Sequence, residues 1–117
     1  MHLNLPNGIR VILVEDQRSQ KSACSATLHV GHFDDHEDCH GLSHLLEHLL
    51  FLGNELYPQT NGLSDFVAAH GGSINASTGT EYTSYFYDVL SEHFDTTLAH
   101  FAAMLSSPLL AEKYIEK

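Results

Sequence analysis

Positive charge is the first thing this 117-residue chain lacks: five lysines and arginines stand against fifteen acidic residues, a formal net charge of −10. Such a balance repels phosphate backbones and anionic lipid headgroups, so nucleic acid and membrane surfaces are set aside as partners. It suits a neutral or basic peptide, although solubility alone is a common reason for a surface of this kind. Cysteine is scarce too. Cys24 and Cys39 form no short-spaced redox or metal pair, and two thiols do not make a disulfide framework. No apolar run approaches the length of a membrane span, and the first residues do not read as a signal peptide. A cytoplasmic location is the expectation, with a periplasmic or organellar one the alternative if a leader has been removed. With 43% hydrophobic residues and 17% charged, the chain reads as globular, with a modest core.

Histidine, by contrast, is plentiful, with ten in the chain. Two of them frame the most informative stretch, His44-Leu45-Leu46-Glu47-His48. On a helix each residue advances about 100°, so His44 and His48 lie roughly 40° apart, and Glu47 falls about 60° to the other side of His44. Two imidazoles and a carboxylate on one arc are what a catalytic zinc needs to be held beside a base. His-x-x-Glu-His is also the inverted form of the zinc-peptidase signature. In a chain this rich in histidine a random match has a chance of roughly one in twenty, so context has to support the motif. It does: Leu42, Leu45, Leu46, Leu49, Leu50, Phe51 and Leu52 surround it, Gly41-Leu42-Ser43 offers a helix start and Gly53 a stop. A helix apolar nearly all round is expected to be buried. Polar groups buried on it without partners would be costly, which favours a shared function over three separately satisfied core residues.

Around the motif the pattern is mixed. Leu3-Asn4-Leu5, the turn Pro6-Asn7-Gly8 and the run 9–14 predict a hairpin. Residues 22–31 predict a strand, with Ala26, Leu28 and Val30 alternating. An acidic loop follows from His32 to Cys39; with His36 and His40 it is a weaker candidate for a second metal site, and a solvated charged loop is the simpler reading. Leu63, Phe66, Val67 and His70 predict a second helix closed by Gly71-Gly72. Residues 73–79 and 81–90 predict two strands joined by a turn, the second with Thr83, Tyr85, Tyr87 and Val89 on one face. Phe94, Leu98, Phe101 and Leu105 form a helical stripe assigned to the core, with Ser91 as its cap and Pro108 beyond its end. The fold expected is α+β, an antiparallel sheet packed against helices.

Two histidines do not complete a zinc site, which ordinarily has three protein ligands and a water. The other histidines, the two thiols and the acids Glu81, Glu92, Glu112 and Glu116 are the candidates for a third, and no spacing singles one out. Here separated motifs become useful. The stretch from His44 to Gly53, Tyr57-Pro58, Gly71-Gly72-Ser73-Ile74-Asn75-Ala76-Ser77-Thr78, Ser107-Pro108-Leu109 and the opening Leu5-Pro6-Asn7-Gly8-Ile9-Arg10-Val11 resemble, in order, the insulinase/pitrilysin zinc metallopeptidases. Glu81-Tyr82-Thr83-Ser84-Tyr85-Phe86-Tyr87-Asp88-Val89 is similar to the insulin-degrading branch of that family.

The resemblance implies that His44 and His48 are zinc ligands and that Glu47 is the general base. It implies that Asn75, Ala76 and Ser77 lie on an edge strand that receives a peptide or unfolded polypeptide as an added strand. The family's third ligand, a glutamate, falls by this resemblance just after Lys117. The chain is thus expected to be a single partial domain over 1–117, the front of an insulinase-type half-domain. Alone it is expected to hold zinc weakly, to cleave little and to self-associate. The other readings are a non-catalytic structural subunit of the same fold, and an S-ribosylhomocysteine-lyase-like metalloenzyme. The latter is disfavoured because Cys24 and Cys39 both precede the motif.

Overall fold

The computed structural model describes residues 1–110. A hairpin of β1 (His2–Asn4) and β2 (Arg10–Ile12) forms a separate two-stranded ladder. Its turn is the predicted one. Gly8 adopts φ 93°, the Gly8 amide donates to the Leu5 carbonyl, and the Ile9 amide donates to the Asn7 side chain.

The main sheet has three antiparallel strands in the order β3 (Lys21–Leu28), β5 (Thr83–Leu90), β4 (Ser73–Thr78). Register pairs Cys24 with Tyr87 and Ala26 with Tyr85 on one side, and Ile74 with Tyr87 and Ala76 with Tyr85 on the other. Thr83, Tyr85, Tyr87 and Val89 are buried, as their alternation predicts, and their face carries the helices. The strands are shorter than the sequence suggests. Val30 is past the end of β3, where its carbonyl accepts the Thr83 hydroxyl (2.6 Å), a side-chain bond that replaces the ladder there.

Three helices cover the inner face: α1 (Leu42–Leu50), α2 (Gly62–Ala69) and α3 (Phe94–Ser106). Leu50, Leu63, Val67, Tyr85, Tyr87, Val89, Phe101 and Met104 form the core. Burying an aliphatic or aromatic side chain of this size contributes roughly 1.5–3 kcal/mol. Tyr87 and Phe101 meet edge-on, centroids 5.0 Å apart, which joins the central strand to α3. The loop after α1 is locked to the end of α3. Leu109 donates to Gly53, Glu55 donates to Ser107, and the buried Asn54 side chain accepts the amides of Leu56 and Tyr57.

Three expectations need correction. The motif helix is not buried all round: Leu49 and Leu50 reach the core, but Leu42, Leu45 and Leu46 are exposed, because a nine-residue helix lying on one sheet turns one side outward. Leu98 is 40% exposed rather than core, while Thr97 and His100 on the same helix are buried. The inward face of α3 is rotated by the entry geometry, a 3-10 turn at Ser91–His93. Ser91 consequently does not cap α3; its hydroxyl donates to the Gln20 carbonyl (3.1 Å) and pairs with Ser22. Among the described residues no helix is long and apolar enough to cross a membrane.

Met104→Ala, which empties a buried site, is expected to lower stability by about 2–5 kcal/mol in denaturant titration. Gly72→Ala is expected to be at least as damaging, since its new Cβ would stand 1.8 Å from the Asp88 backbone oxygen.

Candidate active site

α1 begins without a side-chain cap of its own. Gly41 takes φ 87° at its N-terminus, and Asp35, from the acidic loop, reaches across instead. Its carboxylate accepts the Gly41 amide (2.9 Å), the Ser43 amide (2.9 Å) and the Ser43 hydroxyl (2.6 Å). An anion at a helix N-terminus satisfies free amides and meets the positive end of the helix dipole. The Ser43 hydroxyl is the main reason that the Asp35 pKa lies below the ordinary carboxylate value. Asp35 therefore serves as a structural anchor rather than a ligand in a second metal site, and no such site forms with His36 and His40 among the described residues.

Anchored this way, α1 presents its three motif side chains as the helical wheel requires. Glu47 points into the seam with β4 and is only 9% exposed, while His44 and His48 face solvent. The imidazoles stack at 4.7 Å with planes 17° apart, and their Nε2 atoms approach to 2.8 Å. Such a contact is attractive only with a proton or a cation between the nitrogens. The donor atoms of His44, Glu47 and His48 all lie within 4.8 Å of one another. Two imidazoles on a tetrahedral zinc stand about 3.4 Å apart, so a small side-chain opening adapts this pair to one ion.

The Glu47 carboxylate accepts the hydroxyl of Thr78, the last residue of β4. Tyr85, on the neighbouring strand, has its phenol pushed up to about 12, first by burial and then by the negative charge of Glu47. No local pattern in the sequence marks Thr78 or Asp35, because each acts on a residue of a different element. Glu81 and Glu92 do not join the group: Glu92 lies beside His93 (3.6 Å). Glu112 and Glu116 lie outside the described residues. Cys24 sits half-buried against Tyr87, with its thiol pKa raised by burial, and Cys39 is exposed; neither belongs to the His44, Glu47, His48 cluster.

Asn75, Ala76 and Ser77 lie on β4, which pairs only with β5 and so has one free edge among the described residues. The Ala76 amide donates to the Asn75 side-chain oxygen (2.8 Å). A recess of about 410 Å³, lined by Ser25, Ser73, Phe86 and Asp88 among others, includes none of the three motif residues in its lining.

An α+β sheet-and-helix layer with two histidines and a buried glutamate on one helix defines the class. The particular family follows from direct comparison. Residues 10–117 match the family described as "Insulinase (Peptidase family M16)". Bovine (Bos taurus) insulin-degrading enzyme is 44% identical over 110 residues, 94% of this chain and 11% of that protein. The A-factor-processing enzyme of Saccharomyces cerevisiae is 36% identical over 115 residues, again 11% of its length. The crystal structure of pitrilysin superimposes with a TM-score of 0.94 at 36% identity, covering 98% of this chain and 12% of that one. A protease from Helicobacter pylori superimposes with a TM-score of 0.88 at 27% identity. The chain belongs to the insulinase family of peptidases, and it spans about a tenth of the length of the curated relatives it matches.

Two outcomes follow from this geometry. Thr78→Val leaves the buried Glu47 carboxylate short of a donor and is expected to cost about 1–3 kcal/mol of stability, read by thermal or denaturant unfolding. His100, buried and stacked on Tyr57 at 3.8 Å, has its pKa lowered from 6.5 by burial. Because the folded state takes up this proton only below the unfolded pKa, its contribution is present above about pH 6.5 and lost as pH falls below it. Melting temperature is expected to fall from pH 7.5 to 5.5 (about two units), and His100→Phe to flatten that slope.

Proposed function

We propose that this chain is the metal-binding front of a zinc endopeptidase acting on peptides or small unfolded polypeptides. His44 and His48 hold the ion through Nε2 and Glu47 is the general base. The observation that carries this reading is the convergence of two exposed imidazoles and one buried carboxylate on a single face of α1, in a chain of a peptidase family. The donor set suits zinc, which favours imidazole nitrogen and carboxylate oxygen. A bound zinc supplies Lewis acidity toward water and the scissile carbonyl.

The protein's own groups account for the rest. Thr78 donates to Oε2 of Glu47, which leaves Oε1 to take a proton from the attacking water and pass it to the departing amine. The buried setting keeps the carboxylate from being dissipated in bulk solvent. The free edge of β4 at Asn75, Ala76 and Ser77 offers a peptide backbone a ladder to extend. For that to happen the Asn75 side chain must release the Ala76 amide, which it holds at 2.8 Å. The non-catalytic reading finds no support in this site, where all three motif groups converge.

In the parent peptidase, Glu47→Gln is expected to lower peptide hydrolysis about 10²–10⁴-fold while zinc content, by elemental analysis, is unchanged. Retained turnover overturns the role given to Glu47. The exposed Leu42, Leu45 and Leu46 on α1, with Ile12 and Val14 of the hairpin region, are expected to make this 117-residue chain self-associate. Sedimentation velocity across a concentration series reads this, and a monodisperse monomer contradicts it.

A further inference from the structure

Away from the motif helix, two other imidazoles meet where α2 ends and α3 begins. His70 closes α2, and His93 ends the 3-10 turn that leads into α3. Their ring centroids are 4.0 Å apart, with the planes at 54°. We propose that His70 and His93, with the carboxylate of Glu92, form a second cation site that joins α2 to α3. None of the three belongs to the His44, Glu47, His48 cluster, so the inference stands apart from any role given to that cluster.

The proton on His70 is the first argument. Its Nδ1 lies 2.7 Å from the Phe66 carbonyl oxygen, and a carbonyl only accepts, so Nδ1 carries the proton. The neutral ring then keeps its lone pair on Nε2. A backbone carbonyl behind one ring nitrogen is the arrangement that fixes the tautomer and orientation of metal-binding histidines. Phe66 also braces the pair, 4.2 Å from the His70 ring and edge-on to His93 at 6.3 Å. A purely structural role at the end of α2 accounts for Nδ1. It leaves Nε2 of His70 without a hydrogen-bonding partner among the described residues.

The second argument is the spacing at His93. Its Nε2 stands 3.6 Å from Oε1 of Glu92, too long for a hydrogen bond. It is close to the separation of two donor atoms on one tetrahedral zinc, about 3.4 Å. The side chains of His93 and Glu92 are 33% and 75% exposed, so both are open to solvent and free to turn. Rings that share such an ion through Nε2 have centroids about 5 Å apart, and the pair has to open by only about 1 Å. The main chain beneath both rings is tied down: the Leu90 amide donates to the His70 carbonyl (3.2 Å) and the Thr97 hydroxyl to that of His93 (2.8 Å). Two imidazoles and a carboxylate suit a borderline divalent cation, zinc before others, with water in the remaining position. An ion held there binds the folded state alone and so stabilises it.

The test uses this 117-residue chain and zinc alone. His44→Ala/His48→Ala removes both motif imidazoles, which are exposed, and the second site is read in that background. Zinc affinity is measured by competition with a chromophoric chelator, and thermal unfolding is followed with and without zinc. The measurements are repeated with His93→Ala and with His93→Gln, which keeps a polar side chain of similar length. Ring ¹⁵N shifts are followed by NMR as zinc is added to the background variant, which needs no substitution at the site. Expected results are zinc bound by the background variant, a rise in its melting midpoint, and movement of the His70 Nε2 and His93 resonances. Either change at His93 is expected to weaken binding about tenfold or more and to abolish the rise in melting midpoint. A background variant that takes up no zinc overturns the proposal. So does binding that leaves the His70 and His93 resonances still, or that persists unchanged in His93→Gln.

Discussion

Glu47 is carried by an apolar helix into the seam between α1 and β4, and much of the site follows from that placement. A carboxylate withdrawn from water has to be met by a donor or a cation. Thr78 meets one oxygen, and the donor atoms of the two imidazoles on the exposed side of the helix lie within 4.8 Å of the carboxylate. Burial thus holds the Glu47 carboxylate in the seam, with its ligand atom within 4.8 Å of those of His44 and His48. Turning α1 outward would expose the carboxylate and break the hydrogen bond it accepts from Thr78.

The position of α1 depends in turn on long-range anchors at both ends. At its start, Asp35 replaces the cap that Gly41 cannot provide. Beyond its end, Asn54 and Gly53 tie the exit loop to the last turn of α3. Between them, Leu50 joins the core that Tyr85 and Tyr87 of β5 help to form, and Phe51 tilts against Tyr85 at 6.3 Å. The outer face has no such cover among the described residues. A helix that is apolar nearly all round therefore has one side packed, one side bearing chemistry and one side available to a neighbour.

Much of this was legible in the residues. The five-residue spacing brings His44, Glu47 and His48 to within reach of one another because helical periodicity is a local property. The alternation of Thr83, Tyr85, Tyr87 and Val89 gave the inner face of β5, since a strand repeats every two residues whatever lies around it. The turn at Pro6-Asn7-Gly8 carried its own backbone chemistry. Leu98 misled because helical spacing defines a stripe but not its angular setting, and the 3-10 turn at Ser91–His93 sets the angle. Ser91 misled because a serine before a helix can bond to any nearby carbonyl, and Gln20 was nearer.

The sequence by itself determined the convergence of His44, Glu47 and His48 on one helix, the inner face of β5 and the family, because each of these depends on residue order over short distances or on several short motifs in series. Tertiary structure alone decided which motif side chain is buried, that Thr78 answers it from 31 residues away, and that Asp35 anchors the start of the helix. Those pairings join segments that no periodicity relates. They arise where packing the helices on the sheet forces polar groups together away from water and leaves each to find its partner in space.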